Sequence, residues 1–153
     1  MYHNSISYRR TLSSDFQKCI EVRSKTRQNP ASAELLAEYG ITAETQGPLF
    51  DTESVVGFVA ESENEIVGFC SGRTETGEVL LLALLPDFEN LGIGKILLQL
   101  VVDYLYDLGI EKLWLAASPD SEIRAHGFYR HLGWKFCGKT DDIGDQILEL
   151  KLE

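Results

Sequence analysis

From Gln28 to Gly72 the chain has no Lys or Arg. The same span holds eight acids, Glu34, Glu38, Glu44, Asp51, Glu53, Glu61, Glu63 and Glu65, and the formal net charge of the chain is −10. Phosphate contacts need clustered cations, so neither nucleic acid nor an anionic membrane is expected as the main partner. A small anion held by backbone amides is not excluded. The acidic span is either a solvated face or a wall that draws in a cationic partner. Cysteine is also scarce. Cys19, Cys70 and Cys137 are odd in number, far apart and without a CxxC pair. They read as small buried hydrophobes in a reducing compartment. Cys70 and Cys137 have no evident activating partner for a nucleophilic role. The three histidines, His3, His126 and His131, form no metal motif, so no metal is expected. Neither His126 nor His131 has an acid at triad spacing. The longest apolar run, Val79 to Pro86, is too short to span a bilayer, and MYHNSISYRR is too polar for a signal peptide. Cytoplasm is the expected location. There is no internal repeat or low-complexity tract, and 153 residues suit one domain.

What is present is organised around EVLLLALLPDFENLGIGKILLQLVVDYLYDL, from Glu78 to Leu108. Glu78 to Leu85 is apolar after its first residue and reads as a buried strand, stopped by Pro86. Asp87 to Leu91 turns the chain, and Gly92-Ile93-Gly94-Lys95 follows. Ile96, Leu97, Leu100, Val101, Tyr104, Leu105 and Leu108 then share one helical face, and Gly109 is placed to end it. A helix start after a strand aims free amides at whatever lies beyond the strand's carboxyl end. A GxG at such a place serves close packing or the approach of a ligand. The Walker A pattern and the full dinucleotide fingerprint are both absent.

Around this unit the chain reads as follows. Asn4 to Arg9 alternates weakly, as a first strand. Thr11 reads as the cap of a helix running to about Arg27, broken by Asn29-Pro30. Ser32 to Tyr39 is a second helix closed at Gly40, whereas Ile41 to Asp51 has no clear period and contains the turn signal Gly47-Pro48. Val55 to Glu61 and Ile66 to Thr74 form a hairpin. Lys112 to Ala117 returns through the long helix and should lie parallel to the organising strand. A further helix spans about Ser121 to Leu132, and Trp134 to Lys139 with Gln146 to Leu152 makes a closing hairpin. The expected fold is α/β: a mixed, mostly antiparallel sheet of about seven strands flanked by helices on both faces. Tyr129, mid-helix, is either a core aromatic or a phenol able to give a proton to a leaving thiolate.

Two motifs carry a resemblance. LLALLPDFENLGIGKILL resembles the pantetheine strand and pyrophosphate loop, R/Q-x-x-G-x-G/A, of the GCN5-related N-acetyltransferases. AHGFYRHLGW resembles that superfamily's A-x-x-F-Y-x-x-x-G-F/W signature. The resemblance covers nearly the whole chain, as a single N-acetyltransferase-like domain over residues 1–153. It implies acetyl-CoA as co-substrate and acetyl transfer by direct attack of a primary amine, most simply a small cationic acceptor. A protein amine, or acyl-CoA binding without turnover, is the alternative. Backbone groups of Leu84 and Leu85 would bond the pantetheine arm, with a bulge there splaying the strand from Lys112 to Ala117. Asn90, Leu91, Gly92, Ile93, Gly94 and Lys95 would hold the pyrophosphate. Tyr129 would be the general acid and Glu78 a candidate base. Two positions depart from the family. Glu89 stands where Gln or Arg is usual, and Glu122 stands where an Asn often contacts the coenzyme's arm. The last hairpin could pair across a two-fold axis, as in dimers of the family.

Overall fold

A computed structural model describes residues 5–27 and 31–151. Asn4, the Asn29-Pro30 break and Leu152 therefore lie outside the described residues. The elements in chain order are β1 (Ser7–Arg10), α1 (Phe16–Ser24), α2 (Ala33–Glu38), α3 (Ala43–Asp51), β2 (Val55–Ser62), β3 (Glu65–Arg73), β4 (Val79–Leu84), α4 (Ile93–Asp107), β5 (Lys112–Ala117), α5 (Arg124–His131), β6 (Lys135–Thr140) and β7 (Gln146–Lys151).

Among the described residues seven strands form two sheets. One has the order β1-β2-β3-β4 and the other β5-β7-β6, and within each sheet every pairing is antiparallel. Among the described residues a single parallel bridge, Glu78 to Trp114, joins them, with the Trp114 N–H donating to the Gly77 carbonyl at 3.1 Å. The organising strand and Lys112 to Ala117 are thus parallel, as expected, but they part at once. Ser71 pairs with Leu81 while Gly72 pairs with Val79, so Leu80 is an extra residue on β4. A bulge adds bend and twist to its strand. It lies one to two residues beyond the bridge, not at Leu84 and Leu85 where the resemblance put it. That position explains why the gap opens along the whole of β4.

Helices cover both faces. On one face Leu97, Val101 and Leu105 of α4, all fully buried, pack on Val56, Ala60 and Cys70. On the other, Cys19 and Val22 of α1 pack on Val59, Phe69 and Ala83. The strand period of two sends alternate residues to these two helices. Gly72 of β3 lets α4 come close: a Cβ there would stand 3.0 Å from Leu105 and 3.1 Å from Val101. A Cβ at Gly68 would clash first with Leu84 of the neighbouring β4 and would meet Leu97 of α4 at 3.4 Å.

Three boundaries differ from expectation, each for a local reason. Thr11 does not cap α1. It is buried and extends β1, its N–H donating to Gly57 at 2.8 Å. No side chain caps α1 itself; a 3-10 turn, Ser13–Asp15, leads into it, and the Asp15 carboxylate reaches back to accept from the Leu12 N–H at 2.7 Å. The helix also ends at Ser24, short of Arg27. The segment read as aperiodic is the helix α3. Thr42 accepts from the Thr45 N–H at 3.2 Å and donates its own N–H to the Thr45 hydroxyl at 3.0 Å, a reciprocal cap. Pro48 is tolerated because this short helix needs few internal bonds and Phe50 anchors it on Phe16, ring centroids 5.9 Å apart. Lastly, α5 begins three residues late. Asp120 accepts from the Glu122 N–H at 2.9 Å, and its carbonyl accepts from Ile123 at 3.1 Å, which holds the chain in a turn there.

Arg9 ties β1 to the start of α1. Its guanidinium donates to both oxygens of Asp15, at 2.7 and 3.0 Å, and to Glu61 at 3.2 Å. The hydrogen bonds from Arg9, helped by the Leu12 N–H, hold the Asp15 carboxyl below the usual carboxylate range. A group whose folded pKa is depressed stabilises the fold above its unfolded pKa. We expect that contribution to be complete above about pH 5 and to be lost only as pH falls below about 4, down through the depressed folded value. Acid titration of Asp15→Asn against wild type checks this. The two melting curves should converge at low pH, and a constant gap down to about pH 2 would contradict the assignment.

Candidate functional site

The gap between β4 and β5 is a cavity of about 450 Å³. Its floor is β4 and the carboxyl half of β5. One end is the turn before α4, one wall is Phe128 and Tyr129 of α5, and the rim includes Arg23, Arg27 and Asp145.

The α4 end is a set of open donors. Gly92 has φ +82 and Asn90 φ +64, both in the left-handed region, which glycine and asparagine tolerate best. They bend the chain so that α4 starts at Ile93 with no side-chain cap. The Ile96 N–H is the first to find a helical carbonyl, that of Gly92 at 3.2 Å. The amides of Ile93, Gly94 and Lys95 therefore have no partner within the helix. Asn90, Gly92, Ile93, Gly94 and Lys95 all line the cavity; Leu91 does not, and its side chain is half-exposed.

The floor presents backbone groups as well. The Leu85 N–H donates to Val67 at 2.9 Å and its carbonyl accepts from Phe88 at 3.0 Å. The Leu85 N–H is thus taken by the β3 ladder, and its carbonyl already accepts one of the two bonds it can take. Pairing alternates along an antiparallel ladder. Leu85 faces β3, so Leu84 and Leu82 direct their N–H and C=O to the parted edge. Leu84 stays a candidate, and Leu82 joins it.

Tyr129 is buried and walls the cavity. Burial, with a smaller contribution from the nearby Cys70 thiol, pushes its phenol above the ordinary tyrosine range, so it stays protonated at neutral pH. The signature around it has a mechanical purpose. Gly133 has φ +101, the Trp134 N–H donates to Tyr129 and the Gly133 N–H to Arg130, both at 3.1 Å. This is a Schellman closure of α5. It folds Trp134, 2% exposed, back onto Tyr129 with ring centroids 6.1 Å apart and nearly perpendicular. The two residues thus fix each other.

Other expected residues are placed elsewhere. Glu78 forms the bridge at the closed end, is ion-paired to Arg73 at 3.4 Å, and does not line the cavity. Leu84 lies six residue steps further along the chain, on the order of 20 Å away along the strand. Glu122 lies in the turn before α5, and its neighbour Ile123 lines the cavity in its place. None of the eight acids between Gln28 and Gly72 lines it either. The cavity's own carboxylates are Glu89 and Asp145. Glu89, its side chain 13% exposed, accepts from Arg27 Nε at 2.9 Å. Asp145 closes the β6–β7 turn, where burial and the neighbouring Asp141 raise its pKa above the ordinary value. Burial pushes the Cys19 and Cys70 thiols up to about 12, so they act as core residues. Among the described residues no cluster of His, Cys, Asp and Glu could hold a metal, and no helix is long and apolar enough to cross a membrane.

A sequence profile of the Acetyltransferase (GNAT) family matches residues 16–134. The [ribosomal protein bS18]-alanine N-acetyltransferase of Haemophilus influenzae is 27% identical over 112 residues, 72% of this chain and 69% of that protein. Among solved structures, the PaiA N-acetyltransferase of Thermoplasma acidophilum in complex with coenzyme A superposes with a TM-score of 0.80 at 22% identity, over 97% of this chain and all of that one. The ribosomal-protein-S18-alanine N-acetyltransferase of Escherichia coli does so with a TM-score of 0.71 at 19% identity, over 97% and 95%. The structural likenesses establish the fold.

Proposed function

Since the chain belongs to the acetyltransferase (GNAT) family and is an acetyl-CoA-dependent acetyltransferase, we propose that it acetylates the nitrogen of a small primary amine by direct attack. One observation carries this reading. A buried phenol and the uncapped amides of a helix start share one cavity between parted strands.

The residues present fit acetyl-CoA. The amides of Ile93, Gly94 and Lys95, with the Lys95 charge, suit a diphosphate. The edge groups of Leu84 and Leu82 suit the amides of a pantetheine arm. Acetyl-CoA supplies an acetyl group activated as a thioester. The amine arrives as an ammonium and must first lose a proton. Asp145 is the cavity carboxylate without an ion pair among the described residues, and its raised pKa suits it to accept that proton. Glu78, at the closed end and paired to Arg73, is not placed to do so. The neutral nitrogen then bonds to the acetyl carbon as the carbon–sulfur bond breaks. Tyr129 gives its proton to the departing thiolate and recovers one from the acetylated nitrogen. In total two protons leave the nitrogen, one through Asp145 to solvent and one to the thiol.

The acceptor class rests on charge. Although the acids of residues 28–72 do not line the cavity, the net charge of −10 favours arrival of a cation from solvent. A protein amine is the second reading, favoured by the Haemophilus influenzae relative whose name gives a ribosomal-protein alanine as its acceptor. A screen by thiol release from acetyl-CoA, with polyamines, amino sugars and amine-terminated peptides, separates them. We expect turnover with small cationic amines, falling as salt is raised. Turnover with peptides alone would favour the second reading, and no thiol release with any acceptor from pH 6 to 10 would sink both.

A further inference from the structure

Resting on the reading that the cavity takes acetyl-CoA, we propose that Arg27 is a direct ligand of the coenzyme's diphosphate, presented to it by Glu89. The argument begins with a charge in the wrong place. Glu89 directly precedes the run of open amides, and its carboxylate is largely buried at the cavity's edge. A lone carboxylate there would repel the anion that those amides and Lys95 suit. Arg27 removes the conflict. It reaches across from the segment after α1 and donates Nε–H to Glu89 at 2.9 Å.

That bond uses one edge of the guanidinium. Arginine has five N–H donors in a planar fork, so four remain on the two terminal nitrogens. No other hydrogen bond of Arg27 exists among the described residues. Arg27 lines the same cavity as Gly92, Ile93, Gly94 and Lys95. Its side chain is 63% exposed, so packing does not account for its position. A fork held by a carboxylate at one edge presents its other edge in a defined direction, and that geometry suits paired phosphate oxygens. Arg27 and Glu89 are 62 residues apart, so the pair also ties the segment after α1 to the turn before α4. Binding of the diphosphate would tighten that tie.

The test is calorimetric and needs no acceptor. Coenzyme A and pantetheine, which lacks the diphosphate, are titrated into wild type, Arg27→Gln, Glu89→Gln and the double variant. Circular dichroism confirms that each variant is folded. A charge-assisted contact predicts about 10- to 100-fold weaker coenzyme A binding in Arg27→Gln, with pantetheine affinity unchanged. The double variant must also bind coenzyme A more weakly than Glu89→Gln alone. If the double variant regains wild-type affinity, Arg27 acts only by neutralising Glu89 and the proposal is overturned. Equal weakening of both ligands, or no weakening, overturns it as well. If wild type binds neither ligand, the coenzyme reading itself fails and this proposal goes with it.

Discussion

Replacing Tyr129 by Phe is expected to lower kcat by roughly 10²- to 10⁴-fold, the usual contribution of a positioned general acid. The phenol is buried on the cavity wall and its raised pKa keeps the proton on oxygen at working pH. The thiolate must take a proton at or after carbon–sulfur cleavage, and among the described lining residues Tyr129 is the neutral acid in place. Phe keeps the ring, so its edge-on contact with Trp134 and the cavity's shape survive. Coenzyme A affinity should therefore be unchanged, and stability should move by no more than about 1 kcal/mol. The measurement is steady-state turnover with whichever amine the screen selects, beside calorimetry with coenzyme A. A kcat within threefold of wild type would remove Tyr129 from the chemistry. A parallel loss of coenzyme affinity would make it a structural residue.

The second large effect is on the fold. Trp134→Ala should cost about 3–5 kcal/mol, the range for truncating a fully buried large aromatic. The indole is 2% exposed and packs within the main core, in the cluster that holds Leu113, Leu115 and Leu148. Total stabilities of domains run at about 5–15 kcal/mol, so this one change removes a large share. At this size the melting temperature should fall by roughly 6–20 °C. Because Trp134 closes back on Tyr129, the variant should also lose turnover beyond its loss of folded protein. Trp134→Phe should recover most of both. Urea denaturation of the three proteins decides it, and a cost below about 1 kcal/mol for the alanine would show that the site can collapse around the gap.

Much of this was legible because its causes are local. Gly40, Gly109 and Gly133 were read as helix ends, and each takes positive φ one residue past the last turn. The hairpin of β2 and β3 follows from two strand-like runs split by the polar link Ser62 to Glu65, and Glu63 and Asn64 turn it with φ of +52 and +66. The start of α4 was equally plain, since Gly92 and the helical face after it lie within one stretch of chain. The helix α3 was not. Its apolar face is weak, and its cap is Thr42 bonded to Thr45, which resembles ordinary loop composition.

At the site the division follows the same physics. Periods of two and of 3.6 residues, caps and turn glycines act within a few residues, so the sequence alone determined the order of elements, the parallel return of β5, the open helix start and the helix that carries Tyr129. Contacts between distant segments depend on packing, and only the tertiary structure decided them. It parted β4 from β5 beyond a single bridge and moved the bulge to Leu80. It turned Leu85 inward and left Glu78 at the closed end. It set Asp145 on the rim and joined Arg27 to Glu89. No local pattern encodes which of many acids and cations will meet, because that is fixed by how the sheets twist and where the helices come to rest on them.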